Sequence, residues 1–265
     1  MSRLPTRVAK TGWGDHRFQG YAVYAELLGH TSIGQVLALC MGVRLDAEQG
    51  AVLDEMFVSS LLADPHIWPL KLSRVAGAHG GSTMTGLAAG LLALEGKVTG
   101  SGPAGPMSAW LHRLVELEPS AARDEIQASV SSGQRLPGFG VPARKADERV
   151  IALTRCLVAR GRHTMPHWAM WAQIAELSRT RGVEPNIASA FSAAALDLGI
   201  PPGRVEPLFA MALLPCFLPN AVEGAEQQPE ILREVPREDL EYRGAPRRPS
   251  LRAAATGDPT LDPRV

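Results

Sequence analysis

The sequence predicts an all-α protein, and three observations predict it. Apolar residues recur three and four apart through most of the chain, in stretches broken by Gly and Pro. Aromatic residues make up only 5% of the 265, while alanine, leucine and glycine dominate, which suits closely packed helices better than strands. No convincing run alternates apolar and polar residues as a half-buried strand does.

Taken in order, residues 1–19 are polar and irregular, and Gly20 to Gly29 reads as a short amphipathic segment. Thr31 or Ser32 caps the next helix, whose Ile33, Val36, Leu37, Leu39 and Cys40 share a face and which Gly42 stops. Asp46 caps a further helix, with Gln49 completing a capping-box pattern. Its face of Leu53, Met56, Phe57 and Leu61 carries it to about Ala63, before Pro65. Residues 70–79 form another short helix, and Gly80-Gly81 breaks it. Met84 to Leu94 is a helix of very small residues, which lets neighbours approach closely at a central position or a dimer interface. Residues 96–106, with four glycines and two prolines, read as a loop. Helices follow from Pro106 or Met107 to Leu117, from Pro119 to about Ser131, and over 146–160, 167–181, 186–198 and 204–218. From 222 to 265 the chain turns Glu-, Arg- and Pro-rich and reads as an extended or disordered tail.

Charge is balanced, 27 basic against 27 acidic residues, so nothing electrostatic favours nucleic acid or an acidic membrane surface. Cys40, Cys156 and Cys216 are odd in number and far apart, which predicts free thiols in a reducing compartment and no metal site. The N-terminus has no apolar leader pattern and no apolar run reaches the ~18 residues of a membrane span. These features together predict a cytoplasmic protein.

Leu136 to Arg149 is the stretch with most chemical content. Pro137-Gly138-Phe139-Gly140 is a glycine turn, and Arg144 and Lys145 follow it. Glycines let backbone N–H groups approach a polyanion and the cations reach its phosphates, so these six residues form a candidate cofactor-binding loop. A plain helix–helix connection with a solvated helix start explains the same residues.

Five stretches resemble the citrate synthase superfamily, in particular its short citryl-CoA-lyase-like members, over roughly residues 18–220. Gly20 to Gly29 followed by Thr31 to Leu37 resembles the family's "RGY…L" and "SFxEVxxLL". Ala63-Asp64 falls at its "ADH" turn. Gly90 to Gly100 resembles "GLxALKGPLHGG", and Leu136 to Arg149 resembles "VPGFGHxxYKxxDPR". Pro185-Asn186-Ile187-Ala188 through Leu208-Phe209-Ala210 resembles "PNVD…FxxLFALAR". The resemblance implies a helical homodimer, or a heterodimer with an active paralogue, in which a large domain (20–100 and 200–221) and a small domain (101–199) close over a coenzyme A thioester and a keto acid. It also implies an aspartate and a histidine that form the thioester's enol, a second histidine on the keto acid, and arginines on the carboxylates.

The departures bear directly on function. The family's two catalytic histidines fall on Thr99 and Val141, its aspartate on Ala188, its turn histidine on Pro65 and one arginine on Leu213. Arg149 alone keeps the family's residue, as a substrate-binding cation, and the loop before it is one residue shorter. Asp64-Pro65-His66-Ile67-Trp68-Pro69 supplies replacements: Asp64 and His66 as an acid–base pair and Trp68 as a lid or stacking face. The same residues also read as a proline-rich turn capping a helix. His163 and His167 lack a third ligand for a metal, and His112 with Glu116 is an ordinary helix pair. Two functions remain open at this level. One is carbon–carbon bond formation or cleavage on coenzyme A or an acyl-CoA as substrate, by residues other than the family's. The other is a catalytically inactive binding or regulatory subunit.

Overall fold

The computed structural model describes residues 5–94, 96, 99–141, 145–227 and 236–244, and the chain divides into two compact units after Pro229. The first unit is helical, as the periodicity predicts. Its helices are α1 (Ile33–Cys40), α2 (Ala47–Ser59), α3 (Trp68–Gly80), α4 (Thr83–Leu94) and α5 (Ala104–Glu116), followed by α6 (Pro119–Ser131), α7 (Glu148–Ala159), α8 (Pro166–Arg179), α9 (Ile187–Asp197) and α10 (Pro202–Glu226). Both capping boxes are present: Ser32 with Gln35 opens α1, and Asp46 with Gln49 opens α2. Of the second unit only 236–244 is described, holding a 3-10 turn at Arg237–Asp239; of the predicted tail, 222–226 is helical as the end of α10, and 228–235 and 245–265 lie outside the described residues.

Four elements differ from the sequence expectation. The N-terminal segment contains a small antiparallel sheet, β1 (Ala9–Lys10), β2 (Arg17–Phe18) and β3 (Tyr21–Ala22), in the order β1-β2-β3. Two-residue strands are too short to show alternation. What makes the β2–β3 hairpin is its turn, Gln19-Gly20, with φ of 51° and 88°, the positive pair a tight two-residue loop requires. Helix α2 ends at Ser59 rather than near Ala63, because α10 takes over the chain that follows: Leu62 N–H donates to Cys216 Sγ (3.2 Å) and Asn220 Nδ2 to the Ala63 carbonyl (2.8 Å). Helix α5 begins at Ala104, inside the predicted loop; Pro106 sits in its first turn, where a missing N–H costs nothing.

The fourth difference is α10, which runs eight residues past its expected end at 218 and through Pro207, Pro215 and Pro219. Tertiary packing holds it together. Arg74 of α3 grips its last turns, with Nη2 2.6 Å from Glu223 Oε1 and Nε 3.0 Å from Gln227 Oε1. Gly77 and Gly224 let the two backbones touch, since a Cβ at Gly224 would strike the Arg74 carbonyl. The glycines of α4 act likewise: Gly86 and Gly90 face Ser73 of α3 and Ala221 and Phe217 of α10. The opposite face of α4, with Met84, Thr85, Ala88 and Leu92, is exposed, and the helix carries no charged residue. By length and composition α10 could cross a bilayer, but half of its most apolar window is packed inside the fold against α3, α4 and α5.

Helix α8 shows the same dependence on distant partners. Its N-cap Met165 has no side-chain acceptor, and Asp197 at the end of α9 supplies one, accepting the N–H groups of His167 (3.0 Å) and Trp168 (2.8 Å). His167 Nδ1 also meets Asp197 Oδ1 at 2.9 Å, and its ring stacks on His112 with centroids 5.8 Å apart.

Candidate functional site

The loop after α6 is fixed by its own hydrogen bonds. Phe139 N–H donates to Leu136 O (3.2 Å) and Gly140 N–H to Glu184 O (2.7 Å), while the Gly138 carbonyl accepts Asn186 N–H (2.9 Å). Gly138 (φ +72°) lies against Ser189, where a Cβ would stand 2.7 Å from the Ser189 amide nitrogen. Asn186 completes the lock: its Oδ1 caps α9 through Ala188 N–H (3.0 Å) and its Nδ2 donates to Gly140 O (3.2 Å). The N–H groups of Phe139 and Gly140 are therefore spent inside the protein, so the turn is a rigid wall rather than an open anion cradle.

That wall borders a cavity of about 490 Å³. The cavity brings together His66, Arg149 and Gly140 with Thr99, Val141, Ala188 and Leu213, residues spread over 148 positions of sequence (66 to 213). Pro137, Gly138 and Phe139 do not line it, nor does Lys145, which is exposed; Arg144 lies outside the described residues. Its remaining walls come from the start of α3 (Ile67, Leu70), the end of α4 (Leu94) and the middle of α10 (Phe209, Phe217). They are apolar, as ligand cavities mostly are.

Its polar groups are few and largely committed. Asp147, 3% exposed, accepts four N–H groups: Arg149 N (3.1 Å), Nε (2.9 Å) and Nη2 (2.8 Å), and Ile187 N (2.9 Å). Burial is the largest single influence and pushes its carboxyl up. The Arg149 guanidinium and the two backbone N–H bonds together outweigh it and hold the group below the usual carboxylate range. Asp147 thus caps α7, ties it to the first residue of α9 and neutralises Arg149. Cys216 lines the same cavity with its thiol pushed up by burial, against the opposing pull of the Leu62 N–H and the Arg149 charge, so it stays a protonated thiol.

The sequence-predicted pair exists at the cavity mouth. His66 Nδ1 lies 2.8 Å from Asp64 Oδ1, which also accepts the His66 amide (2.9 Å). A carboxylate on Nδ1 selects the tautomer that presents Nε2 outward as an acceptor. The imidazole is 94% exposed, with Trp68, also largely exposed, beside it on the cavity edge. Among the described residues no three His, Cys, Asp or Glu side chains converge as a metal site.

A second cavity, of about 570 Å³, lies across the same loop, and Arg135, Gly140 and Val141 line both. Arg181 joins Arg135 on its wall, holding Ser131 Oγ through Nη2 (3.0 Å). Ser178, 1% exposed, turns a hydroxyl into this wall that has no partner among the described residues. Sequence reasoning missed Asp147, Arg135, Arg181 and Ser178. The Asp-x-Arg spacing at a helix start was a readable capping signal for Asp147. Arg135 lies in the loop after α6, Arg181 in the turn after α8 and Ser178 in the last turn of α8, and only the fold brings them together.

The chain belongs to the citrate synthase family: the family's C-terminal domain matches residues 70–234. Among solved structures it is similar to citryl-CoA lyase from Hydrogenobacter thermophilus (TM-score 0.81, 22% identity, covering 92% of this chain and 96% of that one). It is also similar to ATP citrate lyase from Methanothrix soehngenii in complex with citrate and coenzyme A (TM-score 0.75, 17% identity, 93% of this chain and 42% of that one). A third likeness is to citrate synthase from Thermoplasma acidophilum in a ternary complex with carboxymethyl coenzyme A and oxaloacetate (TM-score 0.64, 17% identity, 82% and 58%). At these identities the likeness is one of fold. No curated protein matches the chain by sequence.

Proposed function

We propose that this chain binds a coenzyme A thioester across the 135–141 loop and acts on it at the cavity mouth. The observation that carries the reading is the pair of adjoining cavities with one shared wall. Arg135 and Arg181 suit the phosphates of the nucleotide end, as cations do, and the apolar cavity suits the acyl end. Two ATP citrate lyase structures hold coenzyme A or (3S)-citryl-CoA, which supports the choice of ligand. His66, oriented by Asp64, is the acid–base group of this reading, in carbon–carbon bond formation or cleavage next to the thioester. Arg149 is the substrate-side cation, restrained by Asp147. The uncharged face of α4 is the surface on which a second copy of the chain would pair.

One observation favours a second reading, binding without turnover. Thr99, Val141 and Ala188 put no strong acid or base inside the cavity, and His66 stands in solvent. Titration calorimetry with coenzyme A and acetyl-CoA tests the shared part of both readings: saturable binding is expected, weakened at least about tenfold (~1.4 kcal/mol) by Arg135→Ala with Arg181→Ala. No binding would end both. Product analysis with a panel of acyl-CoA and keto-acid pairs separates them. Turnover abolished by His66→Ala supports the catalytic reading, and absence of turnover in a protein that binds supports the other.

A further inference from the structure

We infer that the acyl group accepted by the main cavity is an uncharged, apolar chain rather than a di- or tricarboxylic acyl group; this rests on the coenzyme A reading above. Leu94, Ala188, Phe209, Leu213 and Phe217 on its wall are each at most 8% exposed, and the charged group buried beside them, Asp147 at 3%, is held by Arg149 and Ile187. A ligand carboxylate entering there needs cationic or N–H donors, because a buried charge without partners is driven back to water. Most of the described donors on this wall are already in use, and the Thr99 hydroxyl belongs to an exposed residue. Arg149 faces Asp147 through Nε and Nη2, so an incoming carboxylate meets a balanced pair with a fixed anion directly behind the guanidinium. The Asn186 amide is divided between Ala188 N–H and Gly140 O. The Ile187 N–H belongs to Asp147. Leu213 presents a hydrocarbon surface, and the Cys216 sulfur is occupied by the Leu62 N–H. His66 is at the exposed rim, and Arg135 stands at the border with the second cavity.

A wall of this kind rewards methylenes. Burying one CH₂ is worth ~0.8 kcal/mol, about fourfold in affinity, so four added methylenes give up to about 250-fold. A carboxylate at the end of the chain forfeits that gain, since its desolvation is not repaid.

Titration calorimetry on the full chain with coenzyme A, acetyl-CoA, hexanoyl-CoA and succinyl-CoA tests this. Hexanoyl-CoA is expected to bind at least about 20-fold tighter than acetyl-CoA, and succinyl-CoA no tighter than coenzyme A itself, as the methylene and desolvation terms require. Ala188→Leu, which fills part of the cavity with hydrocarbon, should shrink the hexanoyl-to-acetyl ratio several-fold; circular dichroism and an unfolding curve verify that this variant is folded. Succinyl-CoA binding as tightly as hexanoyl-CoA, or a hexanoyl-to-acetyl ratio near one, overturns the inference while leaving coenzyme A binding in place. Failure of every ligand, coenzyme A included, overturns the function reading and this inference with it.

Discussion

Replacing Asp147 by Asn tests whether the cleft is held together as the geometry says. The carboxylate accepts four N–H bonds from two helices. An amide of the same shape keeps one oxygen, so two bonds survive and two are lost, with an NH₂ group now facing N–H donors. Bonds to a charged group are worth ~1.5–3 kcal/mol each, and breaking one partner of a buried ion pair costs ~3–5 kcal/mol. Arg149, with 24% of its side chain exposed, recovers some hydration, which favours the lower end of that range. A loss of ~3–4 kcal/mol corresponds to roughly 6–16 °C in Tm at about 2–4 °C per kcal/mol. The pH dependence has a definite sign. Asp147 is held below the usual carboxylate range when folded, so its stabilising contribution is complete above the unfolded value near 3.8 and is lost as pH falls through the folded value. The gap between wild type and Asp147→Asn should therefore be widest at neutral pH and close in strong acid. Thermal unfolding followed by circular dichroism between pH 3 and 8 measures it, with hydrogen exchange at the Ile187 amide as a local probe. A Tm change under about 2 °C at pH 7, or a gap that widens in acid, refutes the argument.

Three further outcomes follow from the same packing. Gly138→Ala places a methyl against the Ser189 backbone at a φ of +72° and should cost about 2–4 kcal/mol in urea unfolding, the sum of left-handed strain and overpacking. Asp197→Ala removes the carboxylate that caps α8 from outside; a loss of ~1–2 kcal/mol, with a changed fluorescence of the Trp168–Trp171 pair whose rings lie 4.5 Å apart, is expected. Leu92→Glu puts a charge on the uncharged exposed face of α4 and should convert a dimer to a monomer in sedimentation velocity; a monomeric wild type would refute the pairing surface.

Helix positions were legible wherever local chemistry sets them. Asp46 with Gln49, Pro119 and Asn186 each mark a helix start that needs no distant partner. Signals failed where a partner far along the chain decides. Pro215 and Pro219 argue locally against a helix that Arg74, Gly77 and Asn220 hold by tertiary contact. Asp197 caps a helix that begins 31 residues before it (166 to 197), and no local pattern announces that. The candidate site divides the same way. His66 with Asp64 and the glycine turn stand out in sequence because their residues are adjacent. Asp147 with Ile187, 40 positions apart, and the shared Arg135 become visible only once α7 and α9 start side by side.

The rigidity of the cleft and its limited chemistry have one origin. Asp147 and Asn186 satisfy the orphan N–H groups at the starts of α7 and α9 and pin Gly140 between them. A site preorganised in this way can hold a ligand with little loss of its own freedom. The same hydrogen bonds consume the polar atoms that would otherwise be turned toward the ligand, and the surrounding Leu94, Phe209 and Leu213 offer none. In the catalytic reading proposed above, proton transfer falls to His66 at the mouth, which requires shielding from water when ligand binds, since an imidazole in open solvent gains little catalytic power. Trp68, exposed on the same cavity edge, is the side chain that would provide that shielding in this reading.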